Sequence, residues 1–248
     1  MFQLFFLLLT GVLTYVSYNL GKQGKTWEIR PLEGLEATFE GIGRAAEMGR
    51  PMMVLPGISN LGNPQTLAGL TILGEVAQQA AEIGIKPITS ASNTSVVTAM
   101  EAIVRNAYTA AGRPELYSPG VYVQWFGGDQ FAYAVGAAGQ IMAEEPAVIV
   151  YCGYFLFDVI VDGETGQRVG AVQIGGTIGS MNMVALFCDY LLIGEELYAA
   201  SAAITRDPMA IATLVGQDWI KLTTIAIMVV GTLLSLAGSD AIVTLLGM

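Results

Sequence analysis

Histidine is absent from this chain of 248 residues. Without it the chain lacks the usual general base near neutral pH and the imidazole that most often ligates a transition metal. A Ser-His-Asp triad, a His-ligated metal centre and a His-ligated haem are therefore excluded within the chain. Cysteine is nearly absent as well. Cys152 and Cys188 stand alone in the apolar runs VIVYCGYF and VALFCDYL, which reads as two reduced, buried thiols rather than a redox pair. Charge is the third shortage. Only 13% of the residues are charged, against about 25% in a typical soluble domain. Basic residues are the scarcer kind, 11 against 21 acids, for a net charge of −10. An acidic surface repels phosphate backbones, so nucleic acid is not an expected partner.

Apolar residues are what the chain has in surplus, at 53%. The few charges are also confined. Apart from Asp240, every one lies between Lys22 and Lys221. Phe2 to Leu20 carries none, and its length suits the hydrocarbon core of a bilayer. No basic residue precedes that run, while Lys22, Lys25 and Arg30 follow it. A retained anchor is expected rather than a cleaved signal peptide. Leu222 to Gly238 is the second apolar run, bordered by Trp219 and Lys221 as interfacial anchors. Both basic clusters face the middle of the chain. The positive-inside rule then predicts a cell-membrane protein with two spans, a cytoplasmic middle and both termini outside. The expected division is 1–21 as a transmembrane helix, 22–49 as a juxtamembrane helical segment, 50–218 as a cytoplasmic α/β domain and 219–248 as a second transmembrane helix. In the second span Gly231, Ser235 and Ser239 recur every fourth residue, a stripe that suits close helix packing in lipid.

After Pro31, the residues Leu32, Leu35, Phe39, Ile42 and Ala46 keep a 3-4-3-4 rhythm. This predicts a helix whose apolar seam docks on the chain's own domain or on another subunit. From Arg50 a strand–loop–helix cycle begins. Strands are predicted at 52–57, 87–90, 120–126 and 146–153, with helices at 66–83, 95–111 and 130–143. Gly84 and Gly112 stop two of these helices, and Asn93 or Thr94 caps one. Beyond 153 the pattern reads as a β-hairpin, 155–161 and 168–176, around the turn signals Asp162-Gly163 and Thr165-Gly166. A long helix over 181–203 and a last helix from Asp207-Pro208 follow. The fold class is α/β: a Rossmann-like, mostly parallel sheet with helices on both faces and one β-hairpin, flanked by N- and C-terminal transmembrane helices. The apolar runs 146–161 and 181–194 leave further membrane entry open.

Ligands of open α/β sheets bind at the carboxyl ends of the strands. The loops expected there are rich in small polar residues. Ser59, Asn60, Ser92, Asn93, Gly127, Gly128, Asp129, Gly175, Gly176 and Thr177 are the candidate binding residues, for an anion or a nucleotide phosphate. No lysine follows the glycines as in a P-loop, and GGTIGS lacks the G-x-G-x-x-G spacing. Asp129, Asp158 and Asp189 are the acid–base candidates, the last two because they interrupt apolar runs. No nucleophile motif is present. No metal or cofactor is expected, and no catalytic set is legible.

The runs RPLEGLEATFEGIGRAAEMGRPMMVLPGISNLGNPQTLAGL, ITSASNTSVVTAMEAIVRNAY and VQIGGTIGSMNM resemble a family of prokaryotic membrane proteins known only as a domain of unknown function. The resemblance covers nearly the whole chain and implies no activity. The expected function is that of a doubly anchored scaffold or accessory subunit, held by the lipid bilayer and assembling with itself or in a larger membrane complex. The alternative is a membrane-bound nucleotide- or anion-binding domain that uses the strand-end loops, enzymatically or not.

Overall fold

The computed structural model describes residues 2–236. The chain divides into two compact units, Met1–Ile29 with Arg206–Met248, and Arg30–Thr205. In chain order the helices among the described residues are α1 (Phe2–Lys22), α2 (Glu33–Met48), α3 (Pro64–Ile83), α4 (Thr94–Ala110), α5 (Gln130–Glu144), α6 (Asp158–Arg168), α7 (Met181–Val184), α8 (Glu196–Thr205) and α9 (Pro208–Leu236). The strands are β1 (Met52–Gly57), β2 (Pro87–Ala91), β3 (Val123–Trp125), β4 (Val148–Tyr154), β5 (Val172–Thr177) and β6 (Tyr190–Ile193).

All six strands lie in the second unit, in one sheet ordered β3-β2-β1-β4-β5-β6. Every neighbouring pair is parallel. The central strands β1 and β4 are apolar and almost wholly buried, as strands covered on both faces must be. Alternation along the strands sorts the helices. Val148 lies against Gly41 of α2, Cys152 against Gly69 of α3, Thr89 against Met100 of α4 and Gly176 against Leu197 of α8. The opposite face carries α5, α6 and α7. There Met53, Leu55, Ile88, Ile149 and Tyr151 form a core with Ile141, Phe155 and Val159.

The helix starts follow local chemistry. Asn63, Asn93 and Asp129 cap α3, α4 and α5 by accepting hydrogen bonds from first-turn N–H groups. Gly84 ends α3 at φ 91°, and Gly112, at φ 71°, follows the end of α4. The predicted seam of α2 shifts. Its buried face is Gly34, Ala37, Thr38, Gly41, Ile42 and Ala45, while Ala46 is exposed. A Cβ on Gly34 would stand 3.0 Å from the Leu191 carbonyl oxygen. Small residues win because α2 lies almost on the backbone of the sheet. The helix thus docks on its own α/β unit. The strand expected at 120–126 shortens to β3, and Tyr122 ahead of it packs in a three-ring cluster with Tyr108 and Tyr117.

Two expectations for the second half are corrected. The predicted β-hairpin does not exist: 158–168 is α6, and β5 joins the sheet in parallel. Gly163 and Gly166, whose sequence setting predicts turns, are helical. They let α6 approach Phe187, Gln173 and Ile149, where a Cβ would collide. The long helix over 181–203 is likewise broken. The Asp189 carboxylate accepts from the Gln173 N–H at 2.9 Å while its own N–H donates to the Gln173 carbonyl at 2.7 Å. This clasp starts β6 beside β5. Residues 146–161 and 181–194 therefore contribute strands β4 and β6, part of α6 and all of α7, and neither forms an apolar helix long enough to cross a membrane.

In the other unit α1 and α9 pack antiparallel. Ser17 and Thr14 lie against Gly216, and Gly21 lies against Ala212 and Pro208. The close stripe thus falls nearer the charged end than the predicted Gly231, Ser235 and Ser239. Gly231 is half-buried, Ser235 is exposed, and Ser239 is outside the described residues. A Cβ at position 216 would sit 3.4 Å from the Ser17 Cβ, close to the range a disulfide spans. The double variant Ser17→Cys, Gly216→Cys should oxidise to an intrachain bridge, read as a linked peptide pair by mass spectrometry. A reduced pair under oxidant would contradict this helix pairing. Among the described residues one helix, α9, is long and apolar enough to cross a membrane. Its 29 residues span about 43 Å at 1.5 Å each. Two flanking spans were expected, and only this one meets that test.

Candidate functional site

The carboxyl edge of the sheet gathers the loops singled out from the sequence, and it is sewn shut. The Ile58 N–H donates to the Tyr154 carbonyl at 2.9 Å, tying the β1 loop to β4. The Ser92 hydroxyl donates to the Ile58 carbonyl at 3.0 Å, and the Trp125 indole N–H to the Ser92 carbonyl at 2.8 Å. These bonds tie the β2 loop to β1 and β3 to β2. Gln65, in the first turn of α3, reaches β5, where its Oε1 accepts from the Thr177 hydroxyl at 3.2 Å and the Ile178 N–H at 2.8 Å. The Ser180 hydroxyl donates to the Phe155 carbonyl.

The predicted binding residues are placed accordingly. The Ser59 hydroxyl accepts from Asn63, and Asn60 turns on the Gly62 N–H. Asn93 caps α4, also holding the Ser95 hydroxyl, and Asp129 caps α5. Gly127 supplies a left-handed turn at φ 95° ahead of that cap, and no atom lies within 4 Å of a Cβ at Gly128. Gly175 and Gly176 are not loop residues. They lie inside β5, and a side chain there would strike Val184 and Cys188 on one face or Leu192 and Leu197 on the other. They are small because helices press on the strand. Ser59, Asn60, Ser92, Asn93, Asp129 and Thr177 are brought to one edge, and each spends at least one polar side-chain atom on the protein itself.

A different polar cluster is buried under α5 and α6. Asp158 and Asp162 stand one helical turn apart on the sheet-facing side of α6, both fully buried. Oδ1 of Asp158 accepts from the Leu156 N–H and the Gln130 side chain, each at 2.8 Å. Oδ2 of Asp158 and both carboxylate oxygens of Asp162 have no partner. The buried Ser90 hydroxyl, on the sheet face under α5, has none either. The Tyr133 hydroxyl donates to the Ser90 carbonyl at 3.4 Å, and that of Tyr151 to Gln173 Oε1 at 2.9 Å. Burial raises the Asp162 carboxyl well above the usual aspartate range, and the neighbouring Asp158 adds to it. Burial also raises Asp158, partly offset by the hydrogen bonds to its charged form. The Tyr133 and Tyr151 hydroxyls are pushed up by burial and then by Asp162.

Of the sequence-level acid–base candidates only Asp158 belongs to this cluster. Asp162, Tyr133, Tyr151 and Ser90 were missed. The signal for Asp162 was its i, i+4 relation to Asp158, which places both on one face once the segment is helical. Neither cysteine adds reactivity. Burial pushes the Cys188 thiol up to about 12 and raises Cys152 further, and both are free.

The outer side of α5 is the third unusual surface. From Gln130 to Ala143 the helix carries no charge. Phe131, Val135 and Met142 share one face and are 67%, 72% and 54% exposed. The Phe131 ring packs on Phe157 at 4.6 Å between centroids, next to the exposed Leu156 and Ile160 of the α6 region.

The strand order is that of a Rossmann-type sheet, whose ligand crevice lies between β1 and β4. At that point β1 and β4 approach closely: a side chain on Gly57 or Gly153 would collide with the backbone of the opposite strand. The protein is thus an α/β parallel-sheet protein whose strand-end loops are hydrogen-bonded to one another, with a long apolar C-terminal helix. It belongs to the family described as Domain of unknown function (DUF6754), which it matches over residues 1–246. No curated protein and no solved structure matches the chain.

Proposed function

We propose that this protein is a membrane-anchored scaffold or accessory subunit whose α/β unit assembles with a second copy of itself through the outer face of α5. The observation that carries this reading is the charge-free, exposed stripe Phe131, Val135 and Met142. A soluble surface helix alternates an apolar face with a charged one; α5 is apolar on both. With a net charge of −10, two copies repel each other over most of their surface. A face without charge is where like chains approach at least cost, and an isologous contact sets the same stripe on both copies. In this reading α1 and α9 both cross the bilayer, the α/β unit is cytoplasmic and both termini lie outside. The support is the uncharged run Phe2–Leu20, the basic residues Lys22, Lys25 and Arg30 that follow it, and the antiparallel sense of the two helices. Tethering to a membrane also raises the effective concentration of the copies.

The test is self-cross-linking in intact membranes. A Val135→Cys chain should form a disulfide-linked dimer, and Thr98→Cys, exposed on α4 across the sheet, should not. Equal yields at the two positions would remove the α5 face from the reading. A second reading, a nucleotide or anion site at the carboxyl edge, draws support from the strand order alone. Thermal stabilisation by a nucleotide that is lost in Gly128→Trp would favour it over assembly.

A further inference from the structure

We propose that Asp158 and Asp162 form a proton-holding pair: the folded chain keeps at least one of these two carboxyl groups protonated at neutral pH, and loss of that proton loosens α5 and α6 from the sheet. Geometry carries the argument. Both side chains are fully buried one turn apart, and three of their four oxygens have no hydrogen-bond partner. Gln130 from α5 bonds Asp158, and Tyr133 from α5 and Tyr151 from β4 lie within electrostatic reach of the pair; these tyrosines in turn bond the Ser90 carbonyl of β2 and the Gln173 side chain of β5. Cys188, beyond α7, stands behind Tyr151. None of these can carry positive charge. The remaining charged groups of α6, Glu164 and Arg168, pair with each other on the exposed side. Two bare carboxylates without a cation in an apolar seam are strongly disfavoured by desolvation. A proton removes one charge and supplies the donor that the unpartnered oxygens lack, as in other carboxyl pairs that share a site.

The direction of the pH response follows. In the unfolded chain both groups ionise at the ordinary aspartate value of about 4. In the folded chain they hold protons to higher pH, for the burial and mutual repulsion described above. Between those limits the folded state binds more protons. Its stability is therefore fully present below the unfolded value and falls as pH rises through the folded one. This is the reverse of an aspartate held in a salt bridge. An asparagine at position 162 carries no charge to desolvate, and its amide can donate to the unpartnered Asp158 oxygen.

The experiment uses the full chain in detergent, with infrared spectra, melting curves and hydrogen exchange taken from about pH 6 to pH 9. Expected results are a protonated-carboxylic-acid band at neutral pH that weakens in Asp162→Asn, and a wild-type melting point that falls with pH. In Asp162→Asn the melting point at the alkaline end should be several degrees higher and the slope shallower. Exchange within 130–144 and 158–168 should quicken with pH beyond the intrinsic rate. Absence of the acid band in the wild type overturns the proposal. A slope unchanged in both Asp162→Asn and Asp158→Asn also overturns it. So does a melting point raised at fixed pH by calcium, magnesium or sodium in the wild type alone, which would make the pair a cation site.

Discussion

Replacing Gly69 by alanine is expected to destabilise the α/β unit by about 3 kcal/mol, near the upper end of what overpacking a core costs. Helix α3 crosses β4 at this residue. An added Cβ would fall far inside van der Waals contact with the Cys152 carbonyl oxygen and close to the Pro56 backbone. Neither neighbour is a side chain that can swing aside. The helix has to lift, which withdraws Ile72, Leu73 and Val76 from full burial. Gly153→Ala should behave alike, because its Cβ would enter the Pro56 carbonyl on the adjacent strand. Gly43→Ala is the control. It lies on the open side of α2 with nothing within 4 Å, and removing a helical glycine there should stabilise by about 0.5–1 kcal/mol. Denaturant unfolding of the three variants measures this. Equal effects at Gly69 and Gly43 would show that α3 does not lie against β4 as closely as described.

Val135→Glu is expected to reduce the assembled protein to single copies without weakening the fold. Val135 is 72% exposed, so a glutamate there meets water in the isolated chain and should leave the melting point nearly unchanged. In an isologous contact the same substitution sets two like charges against each other in a desolvated patch. A loss of about 3 kcal/mol in association is a reasonable expectation for a central interface position, and that is roughly a hundredfold in Kd. Unchanged mass with unchanged stability would count against the α5 face, whereas unchanged mass with a lowered melting point would mean that the residue belongs to the core.

The first half of the α/β unit was legible because its punctuation is local. Asn63, Pro64, Gly84, Asn93, Gly112 and Asp129 each do at a helix end what their chemistry predicts. The second half was not, because the same residue types serve a distant contact there. Gly163 and Gly166 look like turn residues, but α6 needs them to lie against Phe187 and Gln173. The four residues of β6 sit in an apolar stretch that periodicity cannot tell from a buried helix. Their placement depends on Asp189 reaching the backbone of Gln173, which is sixteen residues away. The site suffered from the same error. Asp162 placed in a hairpin turn is a solvated carboxylate; Asp162 on a helix, four residues after Asp158, is a buried one. Ser59, Asn60, Asn93 and Asp129 lie at strand ends as read, whereas Gly175 and Gly176 lie inside β5; which polar groups of the loops remain free depends on cross-loop bonds such as Gln65 to Ile178, and no spacing rule contains these.

The central claim is assembly, and the native mass of the full chain, gently solubilised from its own membranes, tests it most directly. The account predicts a particle holding at least two copies of this 26.2 kDa chain, which Val135→Glu reduces to one. A wild-type particle holding a single copy at every concentration would contradict it.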